Sequence, residues 1–368
     1  MAVVIALQPL NALACAVSGA QGYQASSTEV ATAMELAAVS RLSASYPPLP
    51  PLETSSGPLI APVPCVLLKA TGYLEGSWRQ AVASVPVGQT GPVRQSASCG
   101  YGIMQITSGM RQPGELPIEV QQRIASDYRY NIGWGAKMLA EKWNAMDFFG
   151  AVVGDRDPRV AEDWYYAVWA YNQFNFKNNP SNPDYPWPRP PFDGTQSKTN
   201  YPYQELVWGL AANPPREGGR PLWEPVALTL PKGEEIGETP GPIPEPSPSH
   251  GSVCRTLFAE PGSLELTVQA DAAPLTRAIA LGGTANSVPW QATAPPERWL
   301  RLSPVSGAAL PAQITVTIDP RGLRTGAYRA AIPFAAGGGY TPFSLTVSLV
   351  VESSVRWFFP YVPRIRGR

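Results

Sequence analysis

Glu75 is the side chain in this sequence best placed to do chemistry. It closes an apolar run in Tyr73-Leu74-Glu75-Gly76-Ser77-Trp78. A carboxyl group at the end of an apolar helix is poorly hydrated, which favours its neutral form and raises its pKa toward that of a working general acid. Such an acid suits protonation of a glycosidic oxygen. A lone glutamate at a helix terminus is more often simply solvated, so the assignment depends on the residues that accompany it. Gly100 and Gly102 flank Tyr101 in Gly100-Tyr101-Gly102-Ile103-Met104-Gln105, where missing Cβ atoms let the backbone turn tightly or be approached closely. Gln105 offers amide donors and an acceptor without charge. Further on, Trp164-Tyr165-Tyr166-Ala167-Val168-Trp169-Ala170-Tyr171-Asn172-Gln173 is an aromatic run with a polar end. Aromatic helices more often serve as core than as ligand platforms.

In that order, Glu-x-x-Trp, then Gly-x-Gly-x-Met-Gln-Ile-Thr, then Ala-Tyr-Asn, the chain resembles the soluble lytic transglycosylases, relatives of goose-type lysozyme that cut peptidoglycan glycan strands. The resemblance spans residues 60–212. It implies Glu75 as the single catalytic acid and base, Gln105 as a contact to substrate or to that glutamate, and Tyr171 as the hydroxyl that steadies the site. It also implies Ser96, Tyr101, Met104 and Asn172 as substrate-binding residues of the sugar cleft. The chain departs from the family in a longer segment between Glu75 and Gln105, in Cys99 where many members carry glycine, and in Gln173-Phe174 after Ala-Tyr-Asn.

Most glycosidases use two carboxylates, and no second acid is tied to this motif. Asp127, Asp147, Asp155, Asp157, Glu162 and Asp163 lie in segments that read as helix surface or turn, where charged side chains stay solvated. The resemblance therefore implies that Glu75 protonates the glycosidic oxygen, the substrate's N-acetyl group stabilises the cationic centre, and Glu75 then deprotonates the sugar's 6-hydroxyl, leaving a 1,6-anhydro end. Lysozyme-type hydrolysis of the same bond is the close alternative, since it needs only a group that positions water opposite Glu75. A wall-binding or adhesive protein without catalysis is the alternative of a different class.

Composition excludes other chemistries. The one histidine, His250, lies in a proline-rich stretch, which argues against Ser-His-Asp or Cys-His catalysis and histidine zinc sites. Gly337-Gly338-Gly339 lacks the strand-turn-helix context of a nucleotide site, and a formal net charge of zero argues against a nucleic-acid partner. No cofactor and no metal are expected. Peptidoglycan glycan strands are the expected partner, and a monomer the expected state.

The elements that must position Glu75 follow from periodicity. Pro64 presets a first helical position, and Leu67, Ala70, Leu74 and Trp78 recur on one face. Between Gln121 and Met146 a second face carries Ile124, Tyr128, Ile132, Ala136, Leu139 and Trp143. With 368 residues, 42 prolines and 33 glycines, two domains joined by long loops are expected. The expected fold is α+β: a mainly α lysozyme-like domain over 46–230, with Trp223 to Leu230 folding back as a strand, after an N-terminal segment at 1–45. A semi-rigid spacer follows over 231–252, where Pro240, Pro242, Pro244, Pro246 and Pro248 remove backbone donors. From 253 to 353 the pattern alternates, as in Ser263 to Val268, Gln313 to Ile318 and Phe343 to Val350, which reads as a small all-β sandwich. Pro289-Trp290, Trp299-Leu300, Ser306-Gly307, Asp319-Pro320 and Gly322-Leu323-Arg324-Thr325-Gly326-Ala327-Tyr328 resemble the BACON-type immunoglobulin-like modules of bacterial extracellular proteins. The resemblance implies a carbohydrate or protein ligand, or a spacer role. Trp290 and Trp299 are sugar platforms in one reading and buried core in the other.

The apolar start Met1 to Leu7 lacks a basic n-region and reads as a truncated export signal, with Ala12-Leu13-Ala14-Cys15 approximating a lipoprotein box. A secreted or cell-envelope location is expected. Cys65 and Cys99 are candidates for one disulfide, with Cys254 unpaired. The aromatic and basic tail over 354–368 reads as a short exported-protein ending or a disordered end.

Overall fold

The computed structural model describes residues 15–251, 254–255, 257–283, 288–337, 340 and 342–353. The expectations for the start at 1–14, for Gly338-Gly339 and for the tail over 354–368 lie outside the described residues. The chain combines helices with several sheets and divides into two compact units, Met1–Cys254 and Arg255–Arg368.

The first unit is built on helices α1 (Ser27–Ala38), α2 (Cys65–Gly76), α3 (Ile118–Ser126), α4 (Tyr128–Met146), α5 (Tyr165–Tyr171) and α6 (Tyr203–Ala212). Helix α2 starts after Pro64 and carries Leu67 and Ala70 into the core, with Trp78 buried just beyond its end. The stretch read as one apolar face from Gln121 to Met146 is two helices. Asp127 ends α3 in an extended conformation and caps α4, its Oδ1 accepting from Arg129 N at 2.9 Å and Tyr130 N at 3.3 Å. All six residues of that face are buried nonetheless.

Residues 15–45 are not a separate leader segment. Strand β1 (Gln21–Tyr23) and α1 belong to the first unit, and Ser26 opens α1 with a capping box closed by Glu29. Buried Lys69 of α2 pairs with Glu35 of α1. A hairpin of β2 (Leu52–Thr54) and β3 (Gly57–Leu59) follows, and β4 (Thr90–Pro92) pairs antiparallel with β1. The residues between Glu75 and Gln105 are thereby anchored to the chain's early segment. Residues 224–230 form no strand. Val226 N bonds Ala211 O at 2.9 Å, and the segment runs as irregular chain after a two-residue ladder of β5 (Arg216–Glu217) and β6 (Arg220–Pro221).

The proline-rich residues 231–252 are not a spacer between domains. Up to Gly251 they form a strap belonging to the first unit. Ile236 and Ile243 are 2% and 5% exposed. Ile243 N bonds Val152 O at 2.9 Å, Gly154 N bonds Ile243 O at 3.0 Å, and Tyr166 Oη donates to Gly241 O at 2.9 Å. Proline removes donors only at its own positions, so the carbonyls and the intervening N–H groups remain free to pair. The cysteines pair otherwise than expected: Cys15 bonds Cys99, and Cys65 bonds Cys254, just past the strap.

The second unit holds two sheets. Strands β8 (Ser263–Gln269), β10 (Trp290–Ala292), β12 (Ser306–Gly307), β14 (Gly326–Ala336) and β15 (Phe343–Glu352) form one, ordered β12-β10-β14-β15-β8. Strands β7 (Leu257–Glu260), β9 (Leu275–Gly283), β11 (Leu300–Ser303) and β13 (Ala312–Ile318) form the other, ordered β11-β13-β9-β7. Alternate residues of both sheets, among them Ile279, Val316, Ile332 and Leu349, share one core. Trp290 and Trp299 are 3% and 7% exposed and belong to that core, so neither is a surface sugar platform.

Candidate functional site around Glu75

Helix α2 delivers Glu75 one residue before its last, and the chain then turns through Ser77 and Trp78, both at positive φ. Gly76 is required here: a Cβ would lie 2.3 Å from Ile103 O. The end of α2 therefore lies directly against the backbone of residues 100–106.

That loop is held by two buried amides. Asn131 of α4, fully buried, donates to Tyr101 O at 2.8 Å and accepts from Met104 N at 2.8 Å. Gln80, also fully buried, donates to Ala125 O at 2.6 Å and accepts from Ile103 N at 3.3 Å. Gly102, at φ +68°, leaves room for both amides, since a Cβ would fall 2.4 Å from Gln80 Oε1 and 2.8 Å from Asn131 Nδ2.

Glu75 itself is half-buried. Tyr203 Oη, at the start of α6, donates to Glu75 Oε1 at 2.7 Å, and the Asn172 side chain also acts to lower the pKa of the same carboxyl group. Asn178 Nδ2 donates to Asn172 O at 2.7 Å and to Asn172 Oδ1 at 3.3 Å. Burial raises the Glu75 pKa, and Tyr203 and Asn172 oppose that rise without cancelling it. Among the described residues no acidic group contributes to the shift. Tyr203 and Tyr171 are both held well above the usual phenol range, by burial first and by the nearby Glu75 charge second.

The other expected site residues fall into two groups. Asn172 lowers the Glu75 pKa, and the Glu75 charge raises that of Tyr171, whose hydroxyl donates to Met104 O at 2.9 Å. The hydroxyl on the carboxyl group is that of Tyr203, which lies outside the motif; its only sequence signal is the Pro202-Tyr203 pair that opens α6. Gln105 sits at φ +46° and turns its amide to Gly102 O at 2.8 Å rather than to Glu75. Ser96 Oγ accepts from Gly100 N at 2.9 Å and shapes the same loop. Two expected substrate contacts are buried. The Tyr101 ring is fully enclosed with its hydroxyl on Val17 O at 2.7 Å. The fully buried Met104 side chain packs where Gly72 of α2 and Gly135 of α4 make space. Their roles are to place the loop backbone, because neither side chain is accessible to a ligand.

Two acids expected to be solvated are buried. Glu162 is 0% exposed and accepts from Thr229 N at 3.1 Å and His250 N at 2.8 Å, with His250 Nδ1 at 2.6 Å. Asp163 is 5% exposed and its pKa is pushed up to about 8, first by burial, with Glu245, Asp155 and Asp157 adding to the rise and the Asp157 N–H opposing it.

No family model matches the chain, and no curated protein matches it. Among solved structures, it is similar over 27% of its length to a GH5 xyloglucanase of Bacteroides ovatus in complex with a XXXG heptasaccharide, at 16% identity and a TM-score of 0.22, spanning 20% of that chain. A PapD-like domain of human CEP192 aligns at 16% identity and a TM-score of 0.23, covering 27% of this chain and 88% of that one. A protein of unknown function from Porphyromonas gingivalis W83 aligns at 14% identity and a TM-score of 0.24, covering 28% and 50% of the two chains. Likenesses this distant carry no functional argument.

Proposed function

We propose that the first unit is a lysozyme-like peptidoglycan lytic transglycosylase with Glu75 as its acid and base. The observation that carries this reading is the Glu75 carboxyl, half-buried, shifted toward its neutral form by desolvation, and held by the Tyr203 hydroxyl. Protonated Glu75 gives its proton to the oxygen between N-acetylmuramic acid and N-acetylglucosamine as that bond breaks. The substrate's N-acetyl group stabilises the cationic centre. The Glu75 carboxylate, steadied by the Tyr203 hydroxyl, then takes the proton of the muramic 6-hydroxyl as its oxygen closes on C1. One carboxyl is regenerated and no water is consumed. Among the described residues no other acid perturbs Glu75, in keeping with a one-carboxylate route.

The paired cysteines support a secreted or envelope location, since disulfides persist in oxidising compartments. The second unit is read as an immunoglobulin-like module of BACON type, supported by its two antiparallel-rich sheets and shared core. The deciding experiment is mass spectrometry of muropeptides released from purified peptidoglycan. Anhydro products, absent with Glu75→Gln, are expected. Products heavier by one water would replace the proposal by lysozyme-type hydrolysis, and glycan binding without any release would leave only a wall-binding role.

A further inference from the structure

Asp155, Asp163 and Glu245 each direct a carboxylate oxygen to one place, with the three atoms within 4.8 Å of one another. Two come from the loop between α4 and α5, and the third from the proline-rich strap. Acidic clusters on a surface are ordinary, but this one has a buried member. Asp163 is 5% exposed, its Oδ2 accepts from Asp157 N at 2.8 Å, and its Oδ1 has no hydrogen-bond partner. A buried acceptor without a donor is costly, and among the described residues no Lys or Arg forms an ion pair with any of the three acids.

The backbone keeps the space between them clear. Gly154 adopts φ +58°, and a Cβ there would stand 3.1 Å from Asp163 Oδ1 and 3.2 Å from Glu245 Oε2. Both oxygens thus converge on the same glycine. Its own N–H is spent on Ile243 O at 3.0 Å, two residues before Glu245, so the pairing of loop and strap sets where Glu245 arrives.

We propose that Asp155, Asp163 and Glu245 form a calcium site that fastens the proline-rich strap to the loop over residues 153–163. The donors are all oxygen, which selects hard cations, and two of the three, Asp155 and Glu245, come from irregular chain rather than a rigid scaffold, which suits the larger and more tolerant coordination shell of calcium over the strict octahedron of magnesium. A bound divalent cation supplies Asp163 Oδ1 with its missing partner and offsets the repulsion among the converging acidic groups. It departs from the expectation of a metal-free protein drawn from the shortage of histidine, because carboxylate sites need none. Glycan cleavage does not enter the proposal.

The test uses the full chain, stripped with chelator and dialysed, titrated with calcium chloride in a calorimeter and followed by thermal unfolding. One calcium per chain is expected, with the melting temperature rising by about 5 °C at saturation and the strap becoming more resistant to limited proteolysis. Glu245→Gln and Asp155→Asn, both at exposed positions, should fold normally and lose these responses. No heat and no thermal shift at about 5 mM calcium, above the weak range of extracellular sites, would overturn the proposal. So would an equal response from the Glu245 and Asp155 variants, or a response to zinc but not to calcium.

Discussion

Tyr203 Oη donates to Glu75 Oε1 at 2.7 Å, joining the start of α6 to the end of α2. This bond favours the ionised carboxylate, while burial of the group favours the acid. The two effects together set when Glu75 can give a proton and when it can accept one. Removing the hydroxyl in Tyr203→Phe should therefore raise the Glu75 pKa further and weaken the base step. We expect kcat to fall about 10-fold, in line with loss of a hydrogen bond to a charged group, and the alkaline limb of the pH–rate profile to move upward. A profile that keeps its shape and position would show that the tyrosine does not act on Glu75.

Glu75→Gln should abolish glycan cleavage, lowering the rate at least about 10³-fold for loss of the only proton donor. The wild-type rate should fall as pH rises through the raised pKa of Glu75, since the acid must start protonated. The same shift affects stability. A carboxyl whose folded pKa lies above the ordinary glutamate value of 4.5 contributes most at low pH, and that contribution is lost as pH rises through the folded pKa. The Gln variant should unfold with a flatter pH dependence across that window. Equal slopes for the two proteins in thermal melts would remove desolvation of Glu75 as the cause.

Gly76→Ala is expected to damage the site through packing alone. Its Cβ would meet Ile103 O at 2.3 Å, so α2 and the 100–106 loop must separate. A loss of about 2 kcal/mol in stability is expected, typical of overpacking, together with reduced turnover even where the protein remains folded. Ser96→Ala, which removes only the local bonds of its hydroxyl with Gly100 N and Ser98 Oγ, should have the smaller effect in the same melts and assays.

The cysteine pairing can be checked by peptide mapping without reduction, which should recover Cys15 with Cys99 and Cys65 with Cys254. The second bridge ties the strap's end to the first residue of the helix that carries Glu75, across 189 residues of sequence. Chain-entropy reasoning for a loop this long gives about 5 kcal/mol. Cys65→Ser combined with Cys254→Ser should thus lower the melting temperature markedly. Recovery of a peptide joining Cys65 to Cys99 would contradict this arrangement.

Local pattern carries much of the fold. Helix α2 and the three alternating segments that form β8, β13 and β15 are legible because burial on one face leaves a period in the sequence. Glu75 is legible for the same reason, since the apolar period around it announces a desolvated position. What stays hidden depends on contacts between distant residues. Tyr203 lies 128 residues from the carboxyl it touches, and neither periodicity nor the motif spacing reports that distance. Asn131 and Gln80 look like ordinary polar side chains until the 100–106 backbone is laid against them. The strap reads as a spacer because prolines dominate its composition, although Ile236 and Ile243, two isolated apolar residues in a polar run, are a signal of docking.

Glu162 offers the sharpest test of that docking. Its buried carboxylate accepts backbone N–H groups from Thr229 and His250 and lies 2.6 Å from His250 Nδ1, while His250 O in turn accepts from Ala161 N at 2.8 Å. One side chain from the turn just before α5 thus holds two separate segments of the C-terminal part of the unit. Glu162→Ala leaves buried donors unsatisfied, which costs about 3 kcal/mol or more. We expect a drop in melting temperature of about 6 °C and faster proteolysis within residues 231–251. Arg159→Gln, which removes an exposed partner of Asp157, should change neither reading appreciably, because exposed ion pairs contribute little. If both variants melt together with the wild type and the strap is cut no faster, residues 231–251 are a linker after all.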